Sequence, residues 1–332
     1  MARVAINGLG RIGRATLKII EESSELELVA VNDLVPADVL AYLLKYDTVY
    51  GRYNKEVKAD GDSLVIDGRK VKVLSEKDPS QLPWKDMKVD LVFESTGLFT
   101  EEEDAKKHIE AGATHVIISA PTKSKTLRTV VHGVNESPAD EHVIISCASC
   151  TTNSITPPVE IIGRRIGIKK AMLTTVHAYT STQSLVDSPN KKVRRGRAAA
   201  ANIVPSTTGA AVATTKVLPE HQGKFDGMAL RVPVPVGSIS DITFVTERPT
   251  STEEVNQIFR EEAQSEKYKG IMIAVDDEIV SSDIIMDPHA SIVDLNGTMV
   301  VDGDLLKVTA WYDNEWGYSN QMVREAKTLV SR

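Results

Sequence analysis

The chain has 332 residues, 42% hydrophobic and 26% charged, with a net charge of -7. That length exceeds the comfortable size of one hydrophobic core, so two domains are expected. The acidic balance argues against nucleic acid as a partner, and no apolar run approaches the roughly 18 residues that mark a membrane span.

The N-terminus enters a strand at once and lacks the apolar core of a signal peptide. Two cysteines provide no disulfide framework and fit a reducing cytoplasm. Arg3 to Ile6 reads as a short strand. It leads into Gly8-Leu9-Gly10-Arg11-Ile12-Gly13 and then into the helical pattern RATLKIIEE. A second strand, LELVAV, follows, and Asp33 lies twenty residues beyond Gly13. GxGxxG alone is a weak signal, but a strand before it, a helix after it and a carboxylate at that spacing together predict a dinucleotide site. Gly8, Gly10 and Gly13 let the backbone turn tightly and approach a pyrophosphate lying on the helix N-terminus.

Val89 to Phe93 is a buried strand leading to Ser95-Thr96-Gly97. Thr100 and Glu103 form a capping box for a helix running to about Ala111, where Gly112 ends it. Val116 to Ile118 ends at Ser119, and Val143 to Ile145 is the next strand. Alternating strands and helices predict an α/β Rossmann-type domain with a mostly parallel sheet and ligands at the C-terminal strand ends. Ser95, Thr96, Ser119 and Cys150 stand at such ends, so the cofactor and a thiol are expected on one sheet edge.

The stretch Ser146 to Asn153, SCASCTTN, places Cys150 at a strand-to-helix turn. A helix N-terminus offers N–H groups and positive potential, both of which favour a thiolate. Pro157 and Pro158 conflict with this reading: a helix starting at Cys150 is expected to kink there, or its regular part to begin near the prolines.

Past about residue 165 the pattern changes. Ala171 to Ala178, Ala229 to Val234, Asp241 to Val245 and Leu306 to Tyr312 read as strands, with a hairpin turn at Asp302-Gly303. Ser251 and Glu254 cap the helix VNQIFREEA. Strands with few crossover helices predict an α+β domain with a largely antiparallel sheet. The boundaries expected are 1–150 for the dinucleotide domain and 151–314 for the catalytic domain, with a C-terminal helix at 315–332 packing back on the first. The long loop from Thr180 to about Arg197 is expected to be functional. His177, ending the strand MLTTV, gives Cys150 a base, the pairing of covalent catalysis.

At this point a resemblance becomes visible. NGLGRIGR at 7–14, SCASCTTN at 146–153, HAYTSTQ at 177–183, RRGRAAA at 194–200, PSTTGAA at 205–211, GMALRVPVP at 227–235 and WYDNEWGYS at 311–319 occur in this order. Together they resemble the glyceraldehyde-3-phosphate dehydrogenase family along essentially the whole chain. The resemblance implies a phosphorylating, nicotinamide-dependent aldehyde dehydrogenase and a homotetramer. It implies Cys150 as nucleophile and His177 as the base that activates it. Backbone groups of Arg11 and Ile12 would hold the pyrophosphate and Asp33 the adenosine ribose, with Lys77 near the adenine. Thr96, Ser119 and Asn314 fall on the cofactor side, Asn314 fixing the carboxamide. Thr180 and Arg231 would bind the substrate's phosphate, and Ser149, Thr151, Arg195, Thr208 and Gly209 inorganic phosphate.

Several positions depart from the family pattern. Cys147 replaces a usual Asn, Ser181-Thr182 a common Asn-Asp pair, and Lys77 a common Arg. Cys147 and Cys150 form a C-x-x-C that could be oxidised reversibly, but no second ligand cluster accompanies it, so no metal is expected. Asp33, Leu34 and Pro189 match the NAD-preferring form and Ser188 does not; NAD is expected over NADP. The alternatives are an erythrose-4-phosphate dehydrogenase and a non-catalytic NAD-binding redox sensor.

Overall fold

The computed structural model describes residues 1–138 and 143–331. The chain divides into two compact units: Met1–His132 with Glu136–Ala148 and the chain from Met322 onward, and Gly133–Asn135 with Ser149–Gln321.

The first unit holds a nine-stranded sheet. Its spatial order is Arg128–Thr129, Val143–Ser146, His115–Ile118, Leu91–Glu94, Ala2–Asn7, Leu26–Asn32, Arg69–Leu74, Ser63–Ile66 and Val57–Asp60. The first seven pair in parallel; the last two extend the edge antiparallel. The central strands read as continuous apolar runs because both faces are covered: Val4, Ala5, Ile6, Leu91, Val92 and Phe93 are all fully buried.

The glycine motif folds as its spacing demands. The helix begins at Arg11, earlier than its apolar pattern suggests, with Gly10 as N-cap and no side-chain cap. Gly8 sits at φ 91°, and a Cβ there would lie 2.8 Å from the Thr96 backbone nitrogen. A Cβ on Gly13 would lie 2.1 Å from the Gly8 carbonyl oxygen. Only glycine allows this packing.

The second unit carries a seven-stranded sheet in the order Val204–Thr207, Phe225–Val232, Ile168–Ala178, Ser238–Thr246, Leu305–Tyr312, Ser291–Val301 and Met272–Val275. Two of its six pairings are parallel, so the sheet is mixed but largely antiparallel. Asp302 and Gly303 both take positive φ in the hairpin turn, whose connection also includes Asp304. Ser251 caps its helix by accepting from the Glu254 amide.

Two local expectations need correction. Thr100 is not an N-cap: the helix runs Glu102–Glu110 with Glu101 as N-cap and no side-chain cap. Ser124 supplies the missing partner instead, its Oγ accepting from the Glu102 amide at 3.0 Å, while Glu101 accepts from Ser124 and Lys123. A tertiary contact has replaced a local one.

The prolines do not delay the other helix, which runs Cys150–Arg165 with Pro157 and Pro158 inside. Thr156 Oγ1 bonds the Thr152 carbonyl at 2.6 Å, and burial of Ile155, Val159, Ile161 and Ile162 offsets the lost backbone bonds. The C-terminal helix runs Trp316–Val330, and Arg332 lies outside the described residues.

At the C-terminal end of the Cys150 helix, Glu160 accepts from Arg164 Nε at 2.9 Å, Lys267 Nζ at 2.9 Å and the Tyr268 hydroxyl at 2.5 Å. Burial pushes this carboxyl up, but the three donors outweigh it and hold it at about 2, against an ordinary 4.5. A carboxyl depressed on folding contributes stability that is present above 4.5 and is lost as pH falls towards 2. Arg164 and Lys267 are 44% and 40% exposed, so solvent screening reduces the contribution to about 1–2 kcal/mol. Urea unfolding is expected to show Glu160→Gln less stable than the natural chain by that amount at pH 7, with the two converging at the acid end of this window. Parallel pH profiles would contradict the linkage.

Candidate active site

In the first unit the sequence-selected residues gather at the C-terminal ends of the parallel strands. Asp33 follows its strand; its Oδ2 accepts from the Leu9 amide at 2.7 Å, which anchors the carboxylate to the glycine loop. Arg11 turns its side chain to Asp47 and over the Tyr50 ring. Asn32 holds Glu76 by both its amide and its carbonyl, which places exposed Lys77 after the same edge. Thr96 hangs from Glu94 through its amide and hydroxyl, and the Ser119 amide bonds the Glu94 carbonyl. Ser95 Oγ is buried without a partner.

The thiol belongs to the second unit. Ala148 turns the chain at φ 54°, a left-handed conformation unusual for a residue with a Cβ. Ser149 then caps the helix, accepting from the Thr152 amide at 3.1 Å. Cys150 is the first helical residue, and its Sγ lies 3.3 Å from His177 Nε2.

His177 sits near the end of Ile168–Ala178. Its Nδ1 is 2.7 Å from the Ala178 carbonyl oxygen, which also accepts from Arg231 Nη1 at 3.0 Å. Arg231 carries only donors and approaches Nδ1 at 2.8 Å, so Nδ1 can either donate to the carbonyl or accept from Arg231, not both. Donation to the carbonyl leaves the Nε2 lone pair facing the thiol. Parallel pairing sets Arg231 directly beside His177.

Electrostatics keep both groups neutral at rest. Burial, then Arg231, pushes the imidazole down to about 3, with Arg195 adding to the effect against the Ala178 bond. Burial pushes the Cys150 thiol up; Arg231 and the hydrogen bonds at Thr151 oppose it. A neutral imidazole beside a protonated thiol is a base facing its acid. Cys147 differs: it is 4% exposed, and burial with the Glu325 carboxylate pushes its thiol well up, the condition of an unreactive thiol. Neither cysteine forms a disulfide, and no cluster suited to a metal occurs among the described residues.

The proposed anion-binding residues fall into two kinds. Thr180 Oγ1 meets Thr182 Oγ1 at 2.9 Å, and Arg195 reaches Thr182 Oγ1 at 3.2 Å and Ser206 Oγ at 2.9 Å. Thr182 is thus grouped with Thr180 and Arg195 although a hydroxyl replaces the expected carboxylate. Arg231 Nε is buried without a partner, a donor aimed at no protein acceptor. Ser149 and Thr151, by contrast, have hydroxyls bonded to Thr152 and Tyr312. Thr208 and Gly209 stand at the start of Ala210–Val217, where Thr208 Oγ1 accepts from the Ala210 amide.

Sequence reasoning passed over Tyr312, Thr175 and Ser238. The Tyr312 hydroxyl bridges Thr151 at 2.9 Å and Thr175 at 2.8 Å, and its ring stands edge-on to His177 with centroids 6.0 Å apart. Thr175 and His177 share a sheet face by the two-residue repeat, which was the available signal. Ser238 Oγ accepts from the Ala178 amide and donates to Asn314 Oδ1, tying Asn314 to the His177 strand end.

Two family models match the chain: the NAD binding domain of glyceraldehyde 3-phosphate dehydrogenase over residues 2–102 and its C-terminal domain over 149–314. A glyceraldehyde-3-phosphate dehydrogenase of Thermotoga maritima is 52% identical over 333 aligned residues, covering 99% of this chain and 99% of the relative. That of Streptomyces coelicolor is 50% identical over 325 residues, covering 97% and 96%, and that of Geobacillus stearothermophilus 47% over 332, covering 99% and 98%. Likeness of this degree, sustained from end to end, leaves one conclusion: the chain belongs to the glyceraldehyde 3-phosphate dehydrogenase family.

Proposed function

We propose that this NAD-dependent, phosphorylating glyceraldehyde-3-phosphate dehydrogenase works through a thioester on Cys150, with His177 as its base. The observation that carries the reading is the 3.3 Å approach of Sγ to Nε2, whose lone pair faces the thiol when Nδ1 donates to the Ala178 carbonyl. Nε2 takes the thiol proton while sulfur attacks the aldehyde carbon. The carbonyl electron pair moves to oxygen, which gains the proton, giving a thiohemiacetal. Nε2 then accepts the hydroxyl proton as that carbon is oxidised to the thioester. NAD, when bound, supplies the two-electron acceptor. Inorganic phosphate attacks the thioester carbon, the C–S bond breaks, an acyl phosphate leaves, and the departing thiolate takes back the proton held on Nε2, restoring Cys150 and His177.

Residues on each unit suit these partners. The Gly8–Gly13 loop and the amides of Arg11 and Ile12 would hold the pyrophosphate and Asp33 the ribose, its charge disfavouring the 2′-phosphate of NADP. Lys77 would lie by the adenine, and Thr96, Ser119 and Asn314 towards the nicotinamide. The open space at the Gly10 Cβ position and the unpartnered Ser95 hydroxyl both fit a bound dinucleotide. Arg231 with Thr180 would take the substrate phosphate. Arg195, Thr208, Gly209 and the first turn at Ser149 and Thr151 would take inorganic phosphate, arginine supplying a fixed charged fork to each.

A homotetramer in the cytoplasm completes the reading. Its support is exposed apolar surface that a monomer would leave wet: Val39, Tyr42 and Leu43 along one helix, Leu185, Val186 and Val193 on the long loop, and Met172 and Met228 on the open sheet face.

Cys150→Ala is expected to bind NAD normally and to show no turnover; turnover in that variant would remove the nucleophile. His177→Asn is expected to slow the chemistry by roughly 10²–10⁴-fold with its melting curve unchanged. Calorimetric titration of Gly13→Ala is expected to show NAD binding abolished, since a backbone oxygen occupies the Cβ position; normal affinity would place the cofactor elsewhere. Initial rates of NADH production are expected to need inorganic phosphate and to favour glyceraldehyde 3-phosphate over erythrose 4-phosphate. Phosphate-independent rates would indicate simple oxidation to the acid.

A further inference from the structure

We propose that Glu94 is a positioning residue for the cofactor: one buried carboxylate, on which every neighbouring donor converges, pins together the two backbone segments that cross at the dinucleotide loop. The proposal rests on the cofactor reading above and adds a residue that touches no ligand.

Glu94 ends the strand Leu91–Glu94 and is 1% exposed. Its Oε2 accepts from Asn7 Nδ2 at 2.6 Å and faces His108 Nε2 at 3.1 Å. Its Oε1 accepts from the Thr96 amide at 2.8 Å and from the Thr96 hydroxyl.

Every proton direction in this network is fixed from outside it. The Trp84 indole N–H can only donate, and it meets His108 Nδ1 at 3.0 Å, so His108 carries its proton on Nε2 and gives it to Glu94. On the other side, the Glu76 amide donates to Asn32 Oδ1, so Asn32 Nδ2 donates to Asn7 Oδ1 at 2.7 Å and the Asn7 amide must donate to Glu94. Nothing can flip, and the centre must be a pure acceptor.

The position explains why this matters. Asn7 immediately precedes Gly8, and Thr96 is the residue whose backbone nitrogen would lie 2.8 Å from a Gly8 Cβ. Glu94 therefore holds both sides of the approach of Gly8 to Thr96. Trp84, His108, Asn7 and Asn32 are all buried, so solvent cannot substitute for a lost bond.

Replacing the carboxylate with an amide turns one acceptor oxygen into a donor that must face existing donors. Titration calorimetry on the full chain, with NAD as the probe, is expected to show Glu94→Gln weakening NAD binding by about tenfold or more. His108→Leu, which removes the Nε2 donor, is expected to do the same. His108→Gln, which can accept from Trp84 and donate to Glu94, is expected to stay within about threefold of the natural chain. The rate at which iodoacetamide alkylates Cys150 without NAD is expected to be unchanged in all three.

A folded Glu94→Gln that binds NAD as tightly as the natural chain overturns the proposal. If that variant does not fold, equal NAD affinities for His108→Leu and His108→Gln overturn it. A comparable change of alkylation rate in either direction also overturns it, since the effect then extends beyond the cofactor loop. Failure of the natural chain itself to bind NAD overturns the cofactor reading, an outcome visible separately in the reference arm.

Discussion

A single carbonyl oxygen, that of Ala178, decides what the imidazole of His177 can do. Accepting from Nδ1, it turns an unprotonated Nε2 towards sulfur; accepting from Arg231 as well, it brings a guanidinium against the ring. The two effects oppose each other. The first leaves a lone pair facing the thiol; the second, together with burial, resists the further proton that Nε2 would take from it. Without that carbonyl the ring could present an N–H to the thiol instead. The surrounding packing follows from the need to hold this carbonyl still. Ser238 bonds the Ala178 amide, Asn314 bonds Ser238, and Tyr312 braces the ring edge while tying the first helical turn to Thr175.

The same economy appears in the cofactor domain, where one acceptor organises many donors. Glycine lets the backbone segments approach, but glycine alone supplies freedom, not definition. The carboxylate of Glu94 supplies the definition. At both centres an oxygen with fixed surroundings orients nitrogen donors that are otherwise able to rotate or flip. Buried networks of this kind are costly to disturb, because a change leaves further donors or acceptors unmatched.

Much of this was legible in the sequence, and the reasons differ from element to element. The glycine loop could be read because its spacing, flanking strand and flanking helix are all local. Cys150 stood out because the chain has few thiols and one of them heads a helix. The helix Ala37–Lys45 went unread because Val39, Tyr42 and Leu43 stay exposed, which blurs the amphipathic pattern. The Thr100 cap misled because a serine more than twenty residues away in sequence took over its role. Strand pairing left no local trace: nothing in GMALRVPVP reveals that Arg231 lies parallel to and beside His177. The Glu94 network was hidden for the same reason, although a charged residue closing the apolar run LVFE was a sign that it had buried partners.

The most direct test is to catch the covalent intermediate. The enzyme would be mixed with glyceraldehyde 3-phosphate and NAD in phosphate-free buffer, quenched in acid, digested and read by mass spectrometry. The account predicts the acyl mass on the peptide carrying Cys150, and its disappearance when inorganic phosphate is added before the quench. Turnover without any acyl group on Cys150, or with the acyl group on Cys147 instead, would contradict it.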